Sequence, residues 1–413
     1  MAIQGEIWIK PAGRSTGHCN LTVSETYHRI SSPYYLGRAQ ILATNRDDIA
    51  EIQACITNTL DRNAIGNNQI VGIIGDAPSH YAKSPTIWNP VFQRLKMDAI
   101  YLPLDVEESK LPDLVNALKK SDRVMGANVT VPYKIKIIDY LDGLDEMADR
   151  IKAVNTLTRK ENGSFCGYNT DGSGFLESIL TIQPGQKRPF VASLKDLNVL
   201  MIGAGGSARA VAFYLAEKLE NGKLLICNRT SGTALSLSEE ISKAFGNARA
   251  IKEEDFAESA SKADLIINCS TKGQGGTRTL SDGRITILEA YSALAPANPA
   301  TFPGSENTNP ELYRNWLSRS LSDIESNNRA SLRLALSVSA NVGFCDLIYF
   351  PLETVFLRHG RLSGHQTLNG KGMNIAQAAN AFFDKVCRGY LKERGLHNSE
   401  TYKRVIETMS EAW

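Results

Sequence analysis

The chain has 413 residues, 42% of them hydrophobic and 22% charged, which is the balance of a globular protein with room for two or three domains. Its formal charge of only +2 gives no electrostatic reason to expect nucleic acid or an anionic membrane surface as a partner. Its seven cysteines form no CxxC pairs, so we expect reduced thiols and no metal site. No apolar segment approaches the ~20 residues that span a bilayer, so we expect no membrane segment.

Residues 1–68 are predicted to be an N-terminal extension of unknown role. The first residues lack a basic start followed by an apolar core, so we expect no signal peptide and a cytoplasmic location. A helix is predicted around residues 47–60, where Ile49, Ile52 and Cys55 recur at helical spacing. The turn-rich segment at residues 63–68 predicts the end of this extension.

An α/β domain is predicted over residues 69–185. Strands are indicated at residues 71–74, 99–102 and 126–130, with helices at residues 85–95 and 110–121 and a further helix beginning at Pro132. This alternation predicts a mainly parallel sheet covered by helices. The Pro- and Gly-containing segment at residues 183–189 predicts a linker to a second domain.

A Rossmann domain is predicted over residues 190–371. Strands at residues 199–202, 224–227 and 265–268 alternate with helices, the first of them at residues 207–219. Residues 275–340 are rich in Ser, Asn and Pro and are predicted to form an irregular insertion, which in other proteins is a lid, an interface element or a partly disordered segment. Residues 344–357 are strand-like, and residues 373–391 predict a helix with one apolar side.

The motif G-x-G-x-x-A at Gly203, Gly205 and Ala208 predicts a dinucleotide site, although a glycine turn in an unrelated sheet would match the motif alone. The strand before it and the helix after it favour nucleotide binding, with the helix N-terminus facing phosphate. The residues of this turn that we predict to contact the cofactor are Gly203, Ala204, Gly205, Gly206 and Ser207.

The end of the second strand favours NADP over NAD. The chain has Asn228, Arg229 and Thr230 where an acidic residue would bind the ribose 2′-hydroxyl of NAD. A planar guanidinium suits a 2′-phosphate, whereas the alternative is that Arg229 is a solvated surface residue.

Polar residues also follow strand-like runs of the first domain. Lys134, Asn155 and Asp171 arrive from separate strand ends and can surround one hydroxylated small molecule. At the start of the helix predicted from Pro132, the positive end of the helix dipole would favour the neutral amine of Lys134, which suits proton transfer from an alcohol. Asp171 would orient the hydroxyl. A solvated surface lysine, as expected for Lys136, is the alternative.

These elements together resemble the shikimate dehydrogenase family over residues 70–275 and 344–391. The matching segments are A-K-S-P (82–85), N-V-T-V-P-Y-K (128–134), A-V-N-T (153–156), G-Y-N-T-D-G (167–172), G-A-G-G-S-A-R (203–209), N-R-T (228–230), D-L-I-Y-F-P-L-E-T (346–354) and the stretch from Asn369 to Ala378.

The resemblance implies an N-terminal substrate domain completed by the C-terminal helix at residues 372–395, an NADP domain, and a cleft between them. It implies Lys134 and Asp171 as the catalytic pair, with no metal. It also implies a substrate site formed by Asn155 and Thr130 at the ring hydroxyls and by Ser84, Tyr349 and Gln377 elsewhere in the pocket, with Ser84 and Tyr349 near the carboxylate. The implied reaction is reversible reduction of the ring ketone of 3-dehydroshikimate by NADPH, in a monomer or a homodimer.

The chain departs from the family pattern at several positions. Ala82 replaces a serine, which removes a hydrogen bond worth ~1.5–3 kcal/mol to the substrate carboxylate unless Tyr81 or His80 replaces it. Gly273-Gln274 stands where Gly-Met is usual, and a second arginine after the N-R-T segment is absent, with Thr233 near that place. Residues 1–68 and the insertion have no counterpart in compact members.

Two alternatives therefore stay open. One is the same hydride chemistry on quinate, an aminated analogue or another cyclic hydroxy acid in a specialised pathway, which Ala82 and the insertions favour. The other is a non-catalytic metabolite sensor, which would gain little from keeping Lys134 and Asp171 together and for which residues 1–68 offer no basic DNA-binding cluster.

Overall fold

The structure, a computed structural model, describes residues 47–280 and 282–413; the predictions made for residues 1–46 lie outside the described residues. Its first lobe is built on a six-stranded sheet. The elements of this lobe are α1 (Asp48–Gln53), α2 (Arg62–Ile65), β1 (Gln69–Gly75), α3 (Pro78–Tyr81), α4 (Ser84–Arg94), β2 (Ala99–Asp105), α5 (Leu111–Lys120), β3 (Val124–Val129), β4 (Gly143–Leu144), α6 (Glu146–Ile151), β5 (Thr156–Arg159), β6 (Phe165–Tyr168) and α7 (Asp171–Leu180).

The first sheet is mainly parallel, as the alternation predicted, and only β5 runs against the other strands. Its strand order is β2-β1-β3-β5-β6-β4, and β1 pairs in parallel with β2 and β3. Strand β5 runs antiparallel to both β3 and β6, because β5 and β6 form a hairpin that needs no crossover helix. Consequently the carboxyl ends of β1, β3 and β6 share one edge with the amino end of β5. Asn128 pairs with Thr156 there.

The first lobe begins before the predicted boundary at residue 69. Ile49, Ile52, Ile56, Leu60 and Ile65 are all buried in one apolar cluster with β1, β3 and α5. The turn-rich segment at residues 63–68 is only the end of a short helix, α2, whose N-cap is Asp61. We propose that this lobe begins near residue 48.

The second lobe has the predicted Rossmann topology. Its sheet has the strand order β14-β13-β10-β7-β8-β9, and every pair is parallel. Its elements are β7 (Val199–Ile202), α8 (Gly206–Leu219), β8 (Leu224–Cys227), α9 (Ser231–Phe245), β9 (Ala248–Ala250), α10 (Phe256–Ser261), β10 (Leu265–Asn268), β11 (Thr277–Thr279), β12 (Ile285–Ile287), α11 (Leu312–Ser337), β13 (Gly343–Asp346), α12 (Val355–Leu362) and β14 (Thr367–Leu368).

The prediction of an irregular insertion is wrong for much of residues 275–340. The segment contains the antiparallel hairpin β11–β12 and the 26-residue helix α11. The buried face of α11 includes Ser320, Asn327 and Ser331, so the helix lacks the apolar spacing that signals one. The side-chain amide of Asn327 donates hydrogen bonds of 2.8–3.1 Å to carbonyl oxygens between residues 292 and 296, which satisfies the buried polar groups.

The strand-like character predicted for residues 344–357 is also only partly correct. The strand β13 ends at Asp346. The side-chain hydroxyl of Thr354 then caps helix α12, accepting a hydrogen bond from the backbone N–H of Leu357. The apolar residues between these points lie in a loop.

The chain returns to the first lobe at its C-terminus, as predicted. Helix α13 (Lys371–Asn380) continues through a π-helical turn (Ala381–Val386) into α14 (Arg388–Glu393), and α15 (Ser399–Glu411) follows. Phe382 lies 5.3 Å from the ring of Trp88 and 5.7 Å from that of Phe92, and all three are buried. This aromatic cluster anchors the C-terminal helices against β1 and α4.

None of the helices in the described part of the chain combines the length and apolar character that crossing a lipid bilayer requires.

Candidate active site

The polar segments of the first lobe meet at the sheet edge where β1, β3 and β6 end. Thr130 and Lys134 follow β3, Asn155 precedes β5, and Asp171 is the first residue of α7 after β6. Two glycines of α7 let helices from both sides approach it. A Cβ at Gly172 would come within 2.7 Å of the Ala210 carbonyl oxygen in α8, and one at Gly174 would come within 2.5 Å of the Gln377 nitrogen in α13.

Lys134 and Asp171 form a largely buried ion pair. The Lys134 Nζ lies 2.5 Å from Asp171 Oδ2, and the two side chains are only 15% and 5% exposed. Asp171 lies in the first turn of α7, where the positive end of the helix dipole favours a carboxylate. The pair predicted from the sequence is therefore brought together, shielded from most of the solvent that would weaken it.

The helix predicted to begin at Pro132 is not formed at Lys134. Residues 131–135 form a turn, and only a five-residue 3₁₀ helix, Lys136–Tyr140, follows. The dipole argument made for Lys134 therefore does not apply. The position of Lys134 beside Asp171, rather than a helix end, is what distinguishes it from Lys136, which is half exposed and pairs with Glu108.

Asn155 fixes the second oxygen of Asp171. Its Nδ2 donates to Asp171 Oδ1 at 2.7 Å and lies 3.3 Å from Gln377 Oε1. Its Oδ1 accepts hydrogen bonds from the backbone N–H of Thr170 at 2.8 Å and from the Thr156 hydroxyl at 2.9 Å. Because Asn155 is buried and held at both ends, the orientation of the Asp171 carboxylate is set by the fold.

Ser84 joins this network through two residues that the sequence did not single out. It is the first residue of α4 and is 9% exposed. The buried hydroxyl of Tyr101 donates to Asn128 Oδ1 at 2.7 Å, and burial raises the pKa of Tyr101 while a hydrogen bond with Ser84 opposes that rise. Asn128 in turn donates to the Asn155 carbonyl oxygen at 3.1 Å. Asn128 belongs to the segment N-V-T-V-P-Y-K at residues 128–134, and this was the one signal in the sequence that pointed to it as a site residue.

Tyr81 supplies a hydroxyl beside the position where Ala82 lacks one. Its oxygen lies 2.8 Å from Asp76 Oδ1 and 3.3 Å from the Val131 carbonyl oxygen. Desolvation by the surrounding protein raises the pKa of Tyr81, as does its hydrogen bond to Asp76, whereas a hydrogen bond with Thr130 lowers it. The phenol thus stays protonated near neutral pH and able to donate, although 40% of the residue is exposed.

Tyr349 reaches the same region from the second lobe. Its ring packs edge-on against Trp413 at 5.4 Å, and burial raises its pKa while a hydrogen bond with Asn374 opposes the rise. The loop that carries Tyr349 is anchored by the buried Asp346, whose oxygens accept hydrogen bonds from Thr354, Asn268 and the backbone of Ile348. Burial raises the pKa of the Asp346 carboxyl to about 7, against the effect of those hydrogen bonds.

The glycine turn after β7 has the geometry that the motif predicts. Gly203 has a φ of +115°, and a Cβ there would come within 2.9 Å of the Cys269 carbonyl group, so this position requires glycine. A Cβ at Gly205, in contrast, would meet no atom of the described chain within 4 Å. The open space beside Gly205 and the start of α8 at Gly206 fit a pyrophosphate group lying against the backbone.

Replacing Gly205 by alanine should therefore weaken NADP+ binding by about tenfold to a hundredfold, because the added methyl group displaces phosphate from the backbone N–H groups. The unfolding midpoint should stay unchanged, since the methyl group enters open space. Gly203→Ala is the matched contrast and should destabilise the fold by about 1–3 kcal/mol. Fluorescence titration and thermal unfolding measure both effects. Unchanged NADP+ affinity in Gly205→Ala would contradict this assignment.

Ser207, predicted as a cofactor residue, also contacts the ion pair. Its Oγ lies 3.1 Å from Lys134 Nζ and 3.2 Å from Asp171 Oδ2, so the glycine turn of the second lobe is in direct contact with the polar edge of the first. Whatever lies along the Gly203–Ser207 turn is therefore next to Lys134 and Asp171.

The loop after β8 carries an unpaired cation at its tip. The Asn228 Nδ2 donates to the Thr230 carbonyl oxygen at 3.0 Å and closes the loop. Arg229 is exposed and makes no hydrogen bond or ion pair with the residues that the structure describes. Helix α9 begins directly after it, at Ser231.

Comparisons with known proteins identify the same two regions. Residues 73–157 match the shikimate dehydrogenase substrate binding domain, and residues 186–277 match the shikimate/quinate 5-dehydrogenase family. The chain is 33% identical to the shikimate dehydrogenase (NADP(+)) of Bacillus licheniformis over 313 residues, covering 76% of this chain and 90% of that protein. The corresponding protein of Methanococcus aeolicus is 32% identical, with the same coverage.

Solved structures agree in fold. A shikimate dehydrogenase crystallised with NADP+ is 26% identical with a TM-score of 0.59, covering 85% of this chain and 97% of that one. The Thermus thermophilus enzyme in complex with NADP(H) and shikimate is 26% identical with a TM-score of 0.54, covering 83% and 99%.

Proposed function

This chain belongs to the shikimate dehydrogenase family, and on that premise we propose that it catalyses reversible hydride transfer between NADPH and the ring ketone of 3-dehydroshikimate, giving shikimate. The observation that carries the proposal is the buried Lys134–Asp171 pair, which lies at the polar edge of the first lobe and contacts Ser207 of the glycine turn. The chain is thus an NADP-dependent oxidoreductase of aromatic amino acid biosynthesis, acting on a CH–OH group.

The residues of the Gly203–Ser207 turn would hold NADPH, which would supply the hydride. Lys134 holds a proton at Nζ, which it donates to the substrate oxygen as the carbonyl electron pair moves onto that oxygen. In the reverse direction the same nitrogen accepts the hydroxyl proton. Asp171 stabilises the protonated ammonium. Asn155 holds its Oδ1 and Lys134 holds its Oδ2, so the carboxylate presents a fixed acceptor to the substrate hydroxyl.

We propose that the other polar groups position the ring. Asn155 and Thr130 would bind ring hydroxyls, and Gln377 lies 3.3 Å from the Asn155 amide at the same place. Ser84 and Tyr349 would bind the carboxylate, with Tyr81 supplying the hydroxyl that Ala82 lacks. The single O–H of Tyr81 donates to Asp76 Oδ1 here, and we propose that it turns to a carboxylate oxygen when the cyclic acid is bound.

We also propose that the partners of this protein are the small cyclic acid and NADP, without nucleic acid or membrane, and that it acts as a monomer or a homodimer. A cytoplasmic location is supported by the six described cysteines, all of which are free thiols.

The substrate is tested by comparing rates of NADP+ reduction with shikimate and with quinate. We expect a higher kcat/KM for shikimate, and Tyr81→Phe should raise the shikimate KM by about tenfold to a hundredfold because one charged hydrogen bond is lost. Ala82→Ser is the matched variant and should change the KM little. A higher kcat/KM for quinate would make this a quinate enzyme. NADP+ binding without turnover of either would favour the metabolite sensor.

A further inference from the structure

The loop that carries Tyr349, between β13 and α12, has a fixed backbone on both sides of this residue. The Ile348 carbonyl oxygen accepts a hydrogen bond from the backbone N–H of Gly370 at 3.0 Å. The Phe350 carbonyl oxygen accepts one from the backbone N–H of Gly275, also at 3.0 Å. These bonds hold the backbone of Tyr349 in place but do not orient its ring. The orientation of the ring therefore depends on the groups that its side chain contacts.

Trp413 supplies such a contact from the first lobe. It follows helix α15 and packs at the margin of the apolar cluster that holds the C-terminal helices. The centroids of the Trp413 and Tyr349 rings are 5.4 Å apart, and the ring planes are at 82°. Such an edge-to-face pair is worth more than its buried area alone. Since a hydrogen bond with Asn374 holds the phenol end, the Tyr349 side chain is fixed along its whole length.

Trp413 is itself held in place. The ammonium group of Lys371, the first residue of α13, lies 5.7 Å from the centroid of the Trp413 ring, within the range of a cation–π interaction. Helix α15 is anchored near its start, where the Tyr402 hydroxyl donates to Glu177 Oε2 at 2.7 Å, and near its end by the fully buried Met409. Trp413 thus connects a packed helix of the first lobe with a side chain of the second.

We infer that Trp413 is a positioning residue, which holds the Tyr349 ring in the orientation in which its hydroxyl binds the substrate carboxylate. The inference rests on the proposed role of Tyr349. Trp413 lies outside the segments that resemble the family, so no motif pointed to it. The carboxylate takes no part in hydride transfer and is bound equally in the ground state and the transition state. Loss of Trp413 should therefore change KM and leave kcat nearly unchanged.

Trp413→Ala should raise the KM for shikimate by about threefold to tenfold, because binding must then order a side chain that is free to rotate. The kcat should stay within about twofold of the wild-type value. Trp413→Phe keeps an aromatic ring and should recover most of the loss. Glu411→Gln, at the end of the same helix and in an exposed pair with Arg94, is the matched control and should leave KM unchanged. Steady-state kinetics at saturating NADP+ measure these values.

Tyr349→Phe separates positioning from a general structural role. Phenylalanine keeps the ring that packs against Trp413 but has no hydroxyl to orient. In the Tyr349→Phe protein, Trp413→Ala should therefore change KM by less than about twofold. An equal rise of KM in both backgrounds would overturn the inference, because Trp413 would then act without the Tyr349 hydroxyl. A wild-type KM in Trp413→Ala would overturn it as well.

Crystal structures of the wild type and of Trp413→Ala test the inference without turnover. The Tyr349 ring should leave its wild-type orientation, while the backbone of the loop stays in place. A ring that keeps the wild-type orientation would overturn the inference. If the ring moves but the wild type does not oxidise shikimate, the proposed reaction fails and the orienting role of Trp413 stands. If the wild type oxidises shikimate and Trp413→Ala has the same KM, only this inference fails.

Discussion

Replacing Lys134 by methionine should lower kcat for shikimate oxidation by a factor of about 10²–10⁴, the usual contribution of a positioned proton-transfer group. Methionine keeps most of the apolar stem but has no proton to exchange with the substrate oxygen. The Kd for NADP+, measured by fluorescence titration, should change little, because the glycine turn and the loop after β8 are intact.

The control for Lys134 lies two residues along the chain. Lys136 is half exposed and pairs with Glu108, so Lys136→Met should leave kcat within about twofold.

Lys134→Met also leaves Asp171 buried without its cation, which costs roughly 3–5 kcal/mol when a buried pair is broken. Urea unfolding should show this loss, and the double variant Lys134→Met/Asp171→Asn should regain stability. A Lys134→Met enzyme with wild-type kcat would remove Lys134 from the chemistry.

The second large effect is expected at Asp171. Asp171→Asn preserves shape but removes the carboxylate that holds the Lys134 ammonium at 2.5 Å, so kcat should fall by about 10²–10⁴. Asp149→Asn, in an exposed pair with Lys152, is the matched control and should have no effect on rate.

The losses at Lys134 and Asp171 should not add. Groups that act as one unit lose most of their effect when either is removed, so the double variant should be about as slow as the slower single variant. Steady-state kinetics of the four proteins completes the cycle. Fully additive losses would mean that the two residues act independently, against the ion pair seen in the structure.

Local sequence patterns were sufficient for three strands of the second lobe. The strands at residues 199–202, 224–227 and 265–268 have the predicted bounds, because buried parallel strands are continuous apolar runs between clear turns. The conformation at Gly203 was also predictable, because only glycine accepts the tight turn there.

The patterns failed where tertiary contacts decide the structure. Helix α11 buries serine and asparagine against carbonyl groups of its own insertion, so no apolar periodicity marked it. The antiparallel β5 could not be distinguished from a parallel strand by composition. Lys134 was assigned to a helix end because Pro132 is a common first helical residue, yet the chain turns there instead.

The candidate site was only partly visible in the sequence. Lys134 and Asp171 are 37 residues apart, and their positions after strand-like runs, together with the family resemblance, suggested that they meet. Their contact with Ser207 depends on how the two lobes pack at Gly172. Such placements follow from three-dimensional packing that no local pattern records.

Hydride transfer itself is tested with shikimate deuterated at the ring carbon whose hydroxyl becomes the ketone, incubated with the wild-type protein and NADP+. Mass spectrometry of the nucleotide should show NADPH that carries one deuterium, because the hydride moves directly from that carbon. No NADPH, or NADPH without the label, would contradict hydride transfer from shikimate at the Lys134–Asp171 site.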